Sequence, residues 1–182
     1  KFIEENKSEP FFAFLSFYSV HAPMQSTKEL WKKYQIKASL NPEPDHRFIV
    51  DRTSPVRQVQ DHPVYAGMIE AMDFHIGRLV EYLKSQGQYE NTIFIFTSDN
   101  GSEGSGPADP MAFPVNLGPG RLGYHLDYDR LGLKGSYNTI SPSFASASAS
   151  PLSFYKFYTG EGGMRVPLII AGEPLPQTSG LS

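Results

Sequence analysis

Cysteine is absent from the 182 residues, which excludes disulfides, thiolate zinc sites and a cysteine nucleophile within this chain. The same absence is compatible with any redox compartment, so periplasm, secretion and cytoplasm all stay open. Clustered positive charge is also scarce. Sixteen Lys and Arg stand against nineteen Asp and Glu, net −3, and Lys32-Lys33 is the densest basic spot. Nucleic acid is therefore not an expected partner. No apolar run approaches the ~20 residues a membrane-crossing helix needs, and residues 1–10 lack the apolar core of a signal peptide, so no membrane partner is expected.

What is present suffices for one domain with a core, burying roughly 70% of its unfolded surface. Residues 11–17 (FFAFLSF) are a short, nearly continuous apolar run, which predicts a strand buried on both faces. His21 follows just before Ala22-Pro23, in the loop past the strand's end. Residues 26–57 read as a surface excursion, with a short helix from Thr27 to Tyr34 and turns at 41–44 and Ser54-Pro55. Val64, Met68, Met72, Ile76, Leu79, Val80 and Leu83 fall at helical spacing, with Asp61 as the expected cap, Pro63 in the first turn and Gly87 at the stop. Residues 93–97 (IFIFT) predict a second buried strand and 166–171 (VPLIIA) a third. Strand, helix, strand implies a crossover unit with parallel strands. Both strand ends would then share one sheet edge, bringing His21 to the rim that carries Ser98-Asp99-Asn100-Gly101. Residues 101–153 are irregular, and 141–150 (SPSFASASAS) read as a mobile low-complexity stretch.

Single residues here carry little alone. Asp99 and Asn100 offer two hard oxygen donors, a fraction of the six to eight that Ca²⁺ takes, or else an ordinary Asx turn. His21 can exchange a proton near neutrality, or can be a plain loop residue. Lys156, set among aromatics, is either a snorkelling side chain or a fixed cation. Arg165 and Glu161 suit a structural ion pair that holds their loop. His46, His62, His75 and His125 have no spaced partner that would argue for zinc.

In order, the pieces resemble the sulfatase family of the alkaline-phosphatase-like superfamily: aromatic strand then His-Ala-Pro; a helix carrying MIEAMDFHIGRL; a strand ending TSDNG; then Lys156 and, starting five positions on, EGGMRVP. With Lys156 placed after a long insertion behind the Asp-Asn pair, the sequence resembles the bacterial arylsulfatase branch. The resemblance implies a hydrolase of sulfate esters, aryl or carbohydrate. Asp99 and Asn100 would be Ca²⁺ ligands, His21 the group that binds the ester oxygen and helps protonate the leaving group, and Lys156 a sulfate binder. Lys134, in Gly132-Leu133-Lys134-Gly135, is a second candidate for the substrate loop, with Phe113, Tyr124, Tyr128 and Tyr137 as possible stacking surfaces.

The resemblance is incomplete. The Cys/Ser-x-Pro-x-Arg motif that yields the family's formylglycine nucleophile does not occur in these residues, nor do the paired aspartates that complete the metal site. The expected fold is α/β, a partial alkaline-phosphatase-like domain over 1–182: a mainly parallel sheet with flanking helices, incomplete at both ends. Within it, 11–100 form a strand–helix–strand core, 101–153 the substrate-side loops and 154–172 the Lys/Glu-Gly-Gly segment with a strand. The chain alone is expected to be inactive, to bind Ca²⁺ poorly and to self-associate through an open sheet edge. Two alternatives remain at this stage: a phosphate or phosphonate monoester hydrolase of the same superfamily, against which Asp-Asn rather than Asp-His weighs, and a non-catalytic binding or assembly domain.

Overall fold

A computed structural model describes residues 1–42, 44–46, 48–51, 54–104, 123–125, 130, 132–137 and 139–175. In chain order its elements are α1 (Phe2–Asn6), α2 (Lys28–Ser39), β1 (Phe48–Asp51), β2 (Ser54–Arg57), α3 (Pro63–Ser85), a 3₁₀ turn (Tyr89–Asn91), β3 (Phe94–Thr97), α4 (Ser141–Ala149), α5 (Glu161–Met164) and β4 (Leu168–Ala171).

Helix α3 follows the apolar stripe. Its cap is His62 rather than the expected Asp61: Nδ1 of His62 accepts the Tyr65 N–H at 3.3 Å. Pro63 holds residue 62 in the extended conformation that a cap requires, while Asp61 is occupied by Arg57, whose Nε donates to Oδ1 at 2.8 Å. The helix stops as expected, with Gly87 at φ +66° and its N–H on the Lys84 carbonyl at 3.0 Å. Helix α2 starts at the predicted Thr27 cap but runs on to Ser39. It lies on α3, with Lys33 Nζ 2.7 Å from Glu70. Ser54-Pro55, expected as a turn, instead lies in β2, antiparallel to β1 with Phe48 opposite Arg57.

The core joins Met24, Val64, Met68, Ile140, Phe144, Ala145, Ala147 and Tyr155. Four of these come from residues 140–147, so the low-complexity stretch is an ordered helix rather than a mobile loop. Its Ser and Ala side chains are small enough for close approach. Phe144 adds the apolar bulk, its ring 5.0 Å from that of His62 and 5.6 Å from that of Tyr65.

Among the described residues the expected mainly parallel sheet is not seen. Both strand pairs among the described residues are antiparallel, β1 with β2 and β3 with β4. The reason for the second lies at its turn. Gly101, just past β3, donates to the Gly163 carbonyl at 3.2 Å, and β4 begins five residues after Gly163. The chain therefore re-enters at the end where β3 finishes and has to run back along it, Thr97 opposite Leu168. Residues 11–17 form no regular element and pair with no strand among the described residues. A strand is stable only as part of a ladder, and without one Phe12 and Phe14 are 82% and 80% exposed. Between residues 10–22 and β3 opens a cleft of about 2450 Å³, lined also by Met72, Ile76 and Leu79 of the α3 stripe. Small-molecule pockets run to about 1,000 Å³, so most of this space has the scale of a packing surface.

Two outcomes are expected. Burial, with help from the Arg57 charge, lowers the His62 pKa to about 4 from 6.5. The unfolded chain therefore binds the extra proton first: His62's contribution is complete above pH 6.5 and declines as pH falls toward 4, by up to about 3 kcal/mol. Denaturant midpoints across that window should fall, and His62→Asn, which keeps a cap acceptor, should flatten the slope. Secondly, light scattering should show concentration-dependent association, weakened by Phe14→Lys or Ile95→Lys; a monomer at all concentrations would contradict this.

Candidate active site

The chain turns sharply as it leaves β3. Ser98 Oγ donates to the Asn100 carbonyl at 2.9 Å, and Asn100 Nδ2 donates to the Gly101 carbonyl at 2.9 Å. The amide nitrogen is thereby occupied, leaving Oδ1 as the end available to a cation. The Asp99 carboxylate is exposed and takes no hydrogen bond among the described residues. Two hard oxygens at a fixed strand end suit Ca²⁺ chemically. Among the described residues no group of three His, Asp or Glu converges, so they make up only part of a site.

Lys156 is brought to this corner by the backbone. Its N–H donates to the Ser102 carbonyl at 2.8 Å, beside the Gly101–Gly163 bond. The two contacts sew the segment after β3 onto residues 153–164. Glycine is required along that seam. A Cβ on Gly101 would stand 2.0 Å from the Gly162 oxygen, and one on Gly162 would stand 2.1 Å from the Phe154 oxygen. The backbone on either side of Lys156 is strained, with Phe154 at φ +71° and Phe157 at φ +85°. Each such residue costs on the order of 1–2 kcal/mol. Beneath the turn, burial pushes the Tyr155 phenol up to about 12, reinforced by its hydrogen bond with Tyr158, so Tyr155 stays neutral near pH 7.

His21 lines the same cleft as Asp99 and Asn100. It leaves residues 11–17 in a loop anchored by Met24, which is 1% exposed. His21 Nδ1 lies 2.7 Å from the Ala22 carbonyl. A carbonyl only accepts, so Nδ1 carries a proton and Nε2 is the free nitrogen: an acceptor in neutral imidazole, a donor when protonated. Lys156 and Lys134 are not among the cleft-lining residues. The Lys156 ammonium sits 5.5 Å from the Phe157 ring centroid, and Lys134 is exposed on the turn closed by Ser136 N–H to the Leu133 carbonyl. The structure thus joins Asp99, Asn100 and the Lys156 backbone, sets His21 on the same cleft and leaves Lys134 apart. Tyr124 and Tyr137 form a ring pair at 5.6 Å; Phe113 and Tyr128 lie outside the described residues. Arg165 does pair with Glu161, at 2.7 Å, but the pair is exposed and so holds the loop weakly.

A hydroxyl cluster escaped the sequence reasoning. Ser102 and Ser148 share a short hydrogen bond, and the Tyr65 phenol bonds to both. Burial nevertheless raises the Tyr65 pKa, so this phenol also stays neutral. The cluster ties α3 and α4 to the residue that receives the Lys156 N–H. Ser148 was hidden in a repetitive stretch, whereas Tyr65 stands beside the α3 stripe and was the detectable signal. Gly101→Ala or Gly162→Ala should lower unfolding free energy by about 2 kcal/mol or more. Gly77→Ala, where nothing lies within 4 Å of the added Cβ, should raise it by up to about 1 kcal/mol; urea titration separates the two.

A family model described as Sulfatase matches residues 1–179. An uncharacterized sulfatase of Schizosaccharomyces pombe is 33% identical over 93% of this chain and 35% of its own length. An arylsulfatase of Klebsiella aerogenes is 26% identical over 91% of this chain and 41% of its own. Human arylsulfatase H is 31% identical over 64% of this chain and 16% of its own. The chain therefore spans well under half the length of these relatives. With the match running through the strand-end corner, the Lys156 turn and the Glu-Gly-Gly segment alike, the chain belongs to the sulfatase family.

Proposed function

We propose that the protein containing these residues hydrolyses sulfate esters, and that Asp99, Asn100, Lys156 and His21 are its contribution to the active site. The observation that carries this reading is the seam at Gly101 and Ser102, which ties the backbone of a lysine to that of a two-oxygen corner across more than fifty intervening residues. Ester cleavage builds negative charge on the leaving oxygen, and a fixed cation with a proton donor stabilises that charge.

In this reading Asp99 and Asn100 Oδ1 would hold Ca²⁺, completed by ligands from outside residues 1–182. Bound there, the ion would neutralise sulfate oxygens and orient the nucleophile. That nucleophile, a formylglycine, would likewise come from outside this chain. Lys156 binds a sulfate oxygen and reaches toward the bridging oxygen. His21, with Nδ1 committed to Ala22, gives up its proton from Nε2 and so works as a donor in the imidazolium form. The Tyr124–Tyr137 pair offers flat aromatic surface for the substrate's aryl or sugar portion, and Lys134, the second substrate-loop candidate, lies apart from the cleft.

The test is the complete coding frame, matured so that formylglycine can form and assayed on p-nitrophenyl sulfate. Turnover is expected, with a loss of about 10²–10³-fold for Lys156→Ala or Asp99→Ala and a loss on chelation. Residues 1–182 alone should give none. A frame without Cys/Ser-x-Pro-x-Arg, or one that cleaves only p-nitrophenyl phosphate, would overturn the reading.

A further inference from the structure

Phe157 stands where its backbone calls for glycine. Residues 155–158 form a turn closed by the Tyr158 N–H on the Tyr155 carbonyl at 3.1 Å, and Phe157, third in that turn, has φ +85°. Positive φ at the third position is the mark of type II geometry, which glycine or asparagine adopts without strain. Burial does not explain the exception, because Phe157 is 70% exposed. Its aromatic neighbours are engaged with one another: Phe154 stacks on Tyr158 at 4.8 Å, and Tyr155 meets Tyr158 edge-on at 5.1 Å. The Phe157 ring instead faces a cation, Lys156 Nζ, 5.5 Å from its centroid. A side chain that strains its backbone, stays in solvent and meets the neighbouring ammonium is not accounted for by folding.

We propose that Phe157 is a positioning residue for Lys156, its ring face restricting the ammonium by a cation–π contact. The lysine backbone is already fixed through Ser102, but four methylenes separate that anchor from the charge. A ring on the adjacent residue narrows the arc the ammonium can sweep, and does so without a counter-ion that would compete with an incoming sulfate. The functional meaning rests on the proposed sulfate-binding role of Lys156; the placement itself does not.

The experiment uses the 182-residue chain with its lysines reductively ¹³C-methylated, which keeps their charge. The Lys156 resonance is identified by its loss in Lys156→Arg. It should lie upfield of the other lysines through the Phe157 ring current and rejoin them in Phe157→Gly. It should keep its upfield position in Phe157→Trp. Phe157→Gly should also raise the thermal midpoint, since strain is relieved and no buried contact is lost. An unshifted Lys156 resonance in the native chain, a shift that survives Phe157→Gly, or a lower midpoint for that variant would overturn the proposal. Titration with inorganic sulfate is read separately. A Lys156 resonance that ignores sulfate removes the anion-binding role and leaves the Phe157 contact standing.

Discussion

The candidate site depends on two backbone hydrogen bonds, Gly101 to Gly163 and Lys156 to Ser102. They join a strand end to a turn far along the chain, and they form only because glycine lets the backbones come close enough to exclude a Cβ. Much else follows from them. They fix where β4 starts and so make its pairing with β3 antiparallel. They tie the Lys156 backbone to Ser102, three residues past Asp99, and Ser102 in turn bonds to Tyr65 and Ser148. The hydroxyl cluster then carries the constraint into α3 and α4, where the core is densest.

Individual elements were more legible in the sequence than the way they pair. Helix α3, its Gly87 stop, the Thr27 cap and the strand before Asp99 could all be read from spacing and turn chemistry. Those signals are local, written within a few residues of where they act. The errors share a different character. The expected parallel sheet rested on residues 11–17, which pair with no strand among the described residues, and the antiparallel β3–β4 pairing is set by the distant seam rather than by either strand. Residues 141–150 read as low complexity because Ser and Ala carry no periodic signal. Their order comes from Phe144 meeting His62 and Tyr65, and from Ala145 and Ala147 filling close-packed space. Asp61 is a good cap by residue type and was passed over because Arg57 already held it.

The molecule divides energetically along α3. Its N-terminal half is enclosed by Met24, Ile140 and Phe144, while Met72, Ile76 and Leu79 turn to a broad apolar cleft. Residues 11–17 and β3 bound the same cleft, which therefore combines free backbone groups with aromatic surface. His21 and Asp99 lie along it, so groups assigned to chemistry share a boundary with surface suited to packing. Order at the site and coverage of that surface are thus linked through the same two segments.

The seam has a consequence for how such a protein can diversify. Between Ser102 and Lys156 the chain makes a long excursion whose two ends are tied by main-chain bonds indifferent to the excursion's composition. Closing a loop costs only about 0.6 kcal/mol more for each doubling of its length. Length changes between Gly104 and Gly123, ahead of the core segment 140–147, therefore add little closure cost, while the two bonds hold the Lys156 backbone at Ser102. The length of that stretch and the geometry of the strand-end corner are thereby separated within one piece of chain.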